Sequence, residues 1–86
     1  MKHTDRINRI NADLNKHFPS NHDAFWVNNE GGSHDFITLH HGRGGERINT
    51  LWVVIRIFRK EPSVRFVLTT YNAYSRETLR MAGYKI

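Results

Sequence analysis

One stretch constrains this chain more than any other. Leu51 to Phe58, Leu-Trp-Val-Val-Ile-Arg-Ile-Phe, is its apolar centre, and whatever the domain buries must be organised around it. The run is far shorter than the roughly 20 apolar residues that span a bilayer, so it belongs to a globular core. Val53, Val54, Ile55 and Ile57 are β-branched, which favours a strand, and Leu51 to Phe58 is expected to be one. The competing reading is a helix from Thr50 with Leu51, Val54 or Ile55, and Phe58 on one side, because periodicity alone does not settle a short apolar run. With 86 residues the chain makes a single domain spanning residues 1 to 86. Its cysteine count of zero excludes a disulfide framework and any thiolate metal site, so the core has to hold without staples.

Turn and period signals organise the rest. Ile7, Ile10 and Leu14 recur at helical spacing between Thr4 and His17, with Thr4 placed to cap and Asp5 to complement the helix dipole. Pro19 ends that helix nearby. Ala24 to Glu30 and Ser33 to His41 read as a β-hairpin about Gly31-Gly32. Gly42 to Gly45 is a loop that carries Arg43. Lys60-Glu61-Pro62-Ser63 signals a turn, and Val64 to Tyr71 reads as a fourth strand, antiparallel to the third. Ser75 can cap a last helix through Leu79, Met81 and Ala82, and Gly83 suits its left-handed stop. The expected fold class is α+β: one small domain of order α-β-β-β-β-α, with an antiparallel sheet and both helices packed on one face.

Alternation divides the strand residues between two faces. Phe25, Val27, Ile37, Leu39, Leu51, Val53, Ile55, Ile57, Phe66 and Leu68 are expected in the core. The other face would show Trp26 and Asn28, Phe36, Thr38 and His40, then Trp52, Val54, Arg56 and Phe58, then Arg65, Val67, Thr69 and Tyr71. Rings interleaved with guanidinium groups suit base stacking beside held phosphates. The same rings would equally serve as a second small core, covered by a loop or by another copy of the chain.

The formal charge is +5, and residues 44 to 86 supply all of it, with eight basic and three acidic side chains against five of each before them. Arg47, Arg56, Arg59, Lys60, Arg65, Arg76, Arg80 and Lys85 are therefore candidates for a polyanion footprint, and the alternative is an ordinary solvated face. The six histidines all precede Gly42, but no carboxylate stands at a spacing that completes a metal site, and neither a metal nor another cofactor is expected. The Gly42 to Gly45 loop lacks the glycine spacing and the lysine of a nucleotide-binding loop.

Gly32-Ser33-His34 resembles the Gly-Ser-His signature of HicA-type toxin ribonucleases, with a looser echo in Thr78-Leu79-Arg80. The resemblance implies a small double-stranded-RNA-binding-like fold and a ribonuclease acting through His34. The connection between the two segments is longer than in that family, and Asp35 stands where a second histidine commonly follows, so the activity is kept only as an alternative.

The leading expectation is a small basic non-enzymatic module that binds RNA or single-stranded DNA through Trp26, His40, Arg43, Arg47, Trp52, Arg56, Phe58, Arg59, Lys60, Arg65 and Tyr71. The alternative from another class is an inhibitor or adaptor, of the kind phages and mobile elements encode, that docks on a host protein through Trp26, Trp52 and Phe58. A homodimer through the second sheet face is a third possibility. The charged start of the chain lacks the apolar run of a secretory signal, and a cytoplasmic location is expected.

Overall fold

The computed structural model describes residues 2–17, 25–29, 35–42, 47–70 and 72–86. Helix α1 (Lys2–His17) is followed by strands β1 (Phe25–Asn28) and β2 (Phe36–His41), helix α2 (Arg47–Lys60), strands β3 (Phe66–Leu68) and β4 (Ala73–Ser75), and helix α3 (Arg76–Met81). The domain is α+β, with a second helix where the third strand was expected and a short fourth strand beyond Asn72. Helix α1 begins before Thr4, so that residue lies inside the helix and does not cap it.

The reversal at Leu51 to Phe58 has a physical cause. As a strand, alternation would put Val54 and Phe58 on the same side as Trp52 and Arg56. As a helix, Thr50, Val53, Val54, Ile57, Phe58 and Glu61 fall on one side at spacings of three and four, and all are buried. Ile55 is buried too, so the outward stripe narrows to Trp52, Arg56, Arg59 and Lys60. Each β-branched residue gives up at most about 0.7 kcal/mol of helix propensity, whereas each large apolar side chain buried contributes about 1.5–3 kcal/mol. Burial decides the conformation.

With a helix between them, β2 and β3 pair in parallel (Phe36 with Phe66, Ile37 with Val67), whereas Val64 to Tyr71 was expected to pair antiparallel with a strand at Leu51 to Phe58. The outer pairs are antiparallel, β1 with β2 and β3 with β4, so the sheet is mixed and runs β1-β2-β3-β4. Strands β1 and β2 pair antiparallel as expected, with narrower bounds, and the expected reversal at Gly31-Gly32 lies outside the described residues. Phe25, Val27, Ile37, Leu39 and Val67 face the helices and join Ile10, Leu14, the α2 residues and Leu79 in one core. In β3 the two faces are exchanged relative to expectation. Val67 is buried, while Phe66 and Leu68 are 48% and 40% exposed, because register with β2 aligns Val67 with the inward Ile37.

Polar groups lock the layers. The Asn11 amide donates to the Val27 carbonyl at 3.1 Å and accepts from the Val27 N–H at 2.8 Å, so α1 satisfies the outer edge of β1 as another strand would. Ser75 caps α3 by accepting from the Thr78 N–H, and Gly83 takes φ +97° just beyond it, both as read from the sequence. Arg76, expected in the polyanion footprint, instead uses its guanidinium to close the C-terminal end of α2. Its Nη2 donates to the carbonyls of Phe58 (2.7 Å), Glu61 (3.0 Å) and Val64 (3.1 Å), and its guanidinium lies 5.4 Å from the centre of the Phe58 ring. A cation there complements the helix dipole. Burial first, then the charges of Arg80 and Arg65, lower its pKa from the usual arginine value.

Arg76→Ala should therefore lower unfolding free energy in urea by about 2–3 kcal/mol, because it strands carbonyls that a charged donor satisfies. Arg76→Lys should recover only part of it, since an ammonium lacks the planar fork. A loss below about 0.5 kcal/mol for the alanine variant would show that water replaces the guanidinium.

Candidate functional site

The residues expected to form one sheet surface divide between two opposite faces. Trp52, Arg56, Arg59 and Lys60 lie on the outward stripe of α2, with Trp52 60% exposed. Trp26 and His40 lie on the sheet face turned away from the helices. Phe58 lies on neither, being fully buried beneath Arg76. Arg65 is exposed just before β3 with the parity of Val67, and its N–H donates to the Asp35 carbonyl at 2.6 Å. Arg47 is the first residue of α2. Arg43, Tyr71 and His34 lie outside the described residues.

On the helix layer, α1 runs antiparallel to α2 and is joined to it rung by rung. Arg6 donates to the Ser63 hydroxyl (3.1 Å), Arg9 pairs with Glu61 through two bonds (2.9 and 3.2 Å), and Arg56 pairs with Asp13 through two more (2.6 and 2.8 Å). The Arg56 hydrogen bond holds the Asp13 carboxyl below the usual carboxylate range, and the same bond raises the pKa of Arg56. Lys16 and His17 follow one turn beyond Asp13 on α1, both exposed. At the other end of the stripe, Arg59 Nε donates to the Lys85 carbonyl (3.0 Å) and Arg80 Nε to the Ile86 carbonyl (2.8 Å), which draws Arg59, Arg80 and Lys85 together. Between α1 and α2 lies a cleft of about 180 Å³, floored by Ile10 and Ile57 and rimmed by Arg9, Asp13, Lys60 and Glu61. Both carboxylates of that rim are already in ion pairs, so the cleft offers a cation in Lys60 and no unpaired acid. The layer is strongly basic. Among the described residues of α1 and α2, its exposed aromatic side chain is Trp52.

The open sheet face is different in kind. Trp26 and Asn28 of β1, Phe36, Thr38 and His40 of β2, and Phe66 and Leu68 of β3 line it. The Trp26 and His40 rings stack at 5.4 Å with an interplanar angle of 11°. Arg56 and Arg65, which were expected among these rings, are not there.

His41 lies at the end of β2, with Nδ1 3.3 Å from the Thr50 hydroxyl and its ring edge-on to Phe25. Among the described residues, no group of three or more His, Asp or Glu side chains could hold a metal, and no helix is long and apolar enough to cross a membrane. Of the second ribonuclease-like segment, Leu79 is core and the Thr78 N–H is engaged by Ser75. Comparison with protein-family models, curated proteins and solved structures returns no match.

The sequence signal for the basic stripe was present in the spacing of Trp52, Arg56, Arg59 and Lys60 (four, three, one), which fits one side of a helix. The exposure of Phe66 and Leu68 had no such signal, since it follows from the phase of β3 against β2.

Burial first, and then His40, push the pKa of His41 below the ordinary imidazole value of about 6.5. The unfolded chain takes up that proton before the folded chain does, so stability at this site is complete above about pH 6.5 and falls as the solution is acidified. His41→Asn should therefore lose less stability than the wild type between pH 7.5 and pH 5.5 in parallel urea titrations. Equal losses would assign the acid sensitivity to other groups.

Proposed function

We propose that this chain is a nucleic-acid-binding module for RNA or single-stranded DNA, and that its contact surface is the helix layer rather than the sheet. The observation that carries this reading is the α2 stripe: a helix buried almost all round leaves Trp52, Arg56, Arg59 and Lys60 outside, and the end of the chain adds Lys85 and Arg80 beside them. Phosphate contacts dominate nucleic-acid affinity, and this layer holds the cations. An exposed indole within the same stripe supplies a stacking surface for one base. Arg56 stands apart from its neighbours, because Asp13 already occupies its fork. Arg59, Lys60 and Lys85 are then the phosphate contacts, and Trp52 is the base contact. The stripe lies flush between α1 and the end of the chain, and nothing in it projects as a major-groove reading helix would, which favours an unpaired strand.

Charge and ring should separate in a salt titration against a single-stranded oligonucleotide. Replacing Arg59 and Lys60 together by Ala should weaken binding for every sequence and flatten the salt dependence by up to about 1.4 in logarithmic slope, at about 0.7 per phosphate contact. Trp52→Ala should cost about 1–3 kcal/mol with the slope unchanged, because stacking releases few counterions. Equal flattening by both variants would exclude Trp52 as a stacking residue. Absence of any binding at about 50 mM salt, where phosphate contacts are strongest, would remove the proposal altogether.

A further inference from the structure

We infer that the open face of the sheet is the docking surface for a second copy of this chain, sheet against sheet, about a two-fold axis that runs along the strands between β2 and β3. The inference concerns the face opposite the basic stripe and stands independently of nucleic-acid binding.

Composition comes first. Trp26, Phe36, Phe66 and Leu68 dominate the face, and no Lys, Arg, Asp or Glu is present on it among the described residues. Interface cores show this combination, enriched in aromatic side chains and depleted of charge. A polyanion would find no cation there, and an acidic protein no complement. A second copy needs neither. It would also leave both positive layers on the outside, so the +5 charge of each chain is kept apart by two sheets.

Topology supplies the symmetry. The strand order β1-β2-β3-β4 places β2 and β3 at the centre, and they are parallel. A two-fold axis along their direction therefore lays β2 of one copy over β3 of the other with both running the same way. Because Phe36 is level with Phe66, and Thr38 with Leu68, the rotation sets Phe36 over Phe66 of the second copy and Thr38 over its Leu68, and each contact occurs twice. Two sheets of the same twist pack face to face about 10 Å apart, a distance that side chains of this size fill. Trp26, 42% exposed and backed by His40, lies at a corner of the face and would reach toward the second copy's β3–β4 turn.

Size sets the expected strength. Four strands at about 4.8 Å make a face roughly 19 Å wide, and β3 and β4 are only three residues long, so the contact belongs at the small end of specific interfaces. A reversible dimer in the micromolar range is expected.

Sedimentation equilibrium from about 10 μM to 1 mM tests it. The weight-average mass should rise from 10.1 kDa toward twice that value. Leu68→Glu and Phe66→Glu, at positions already solvent-exposed in one copy, should each raise the dissociation constant at least roughly ten-fold by bringing an unpaired charge against the second copy's Thr38 or Phe36. Trp52→Ala should leave it unchanged. The chain has two tryptophans, one on each face, so their indole N–H signals in a dilution series give a readout that needs no variant. The Trp26 signal should move with concentration and the Trp52 signal should not. A wild-type mass of 10.1 kDa throughout overturns the inference, as does undiminished dimerisation of both glutamate variants or movement of the Trp52 signal instead of the Trp26 signal.

Discussion

The structure depends on keeping α2 out of water on nearly every side. Val53, Val54, Ile55, Ile57 and Phe58 are all buried, and a helix with so wide an apolar surface needs partners around most of its circumference. The sheet covers one side, while α1 and α3 contribute Ile10, Leu14 and Leu79 to the same core. An α2 so deeply set also buries its C-terminal carbonyls, and Arg76 answers them from the start of α3. The position of α3, and with it that of Lys85 and Arg80, is thus tied to the end of α2.

Placing a helix at the centre of the chain determines the sheet. Strands on either side of a crossover helix pair in parallel, and that pairing sets β3 in phase with β2. Val67 turns inward beside Ile37, and Phe66 and Leu68 turn outward beside Phe36 and Thr38. One conformational choice at residues 51 to 58 therefore decides that the open face carries Phe66, eight residues later.

Charge and aromatic surface consequently separate. Burial of α2 leaves an outward stripe in which a tryptophan precedes three cations, while the sheet face, among the described residues, holds rings without formal charge. The cross-helix pairs Arg9 with Glu61 and Arg56 with Asp13 consume part of the positive charge in holding α1 to α2, which leaves Lys16, Lys60 and Lys85 as cations with the widest freedom to meet a ligand. A domain with one basic layer and one neutral aromatic layer can present the first to a polyanion while the second is covered. The two surfaces face opposite ways, so engagement of one does not obstruct the other.

Local chemistry made several features legible in the sequence alone: the amphipathic period of α1, the antiparallel pairing of β1 with β2, Ser75 as a helix cap and Gly83 at a left-handed stop. Each depends on residues within a turn or two of one another. The apolar weight of Leu51 to Phe58 was equally plain, and its burial followed from composition. Its conformation was decided by tertiary structure, because β-branched propensity is worth tenths of a kcal/mol per residue while burial of a side chain is worth several times more. The roles of Asn11 and Arg76 were decided in the same way, since an amide that satisfies a strand edge sixteen residues away, or a guanidinium that closes a helix it does not belong to, exists only once the elements have packed. So too was the division of Trp26 from Trp52. The sequence determined that the chain carries both rings, and only the packing of α2 as a helix on the face of β1 that buries Phe25 and Val27 decided that they face opposite ways.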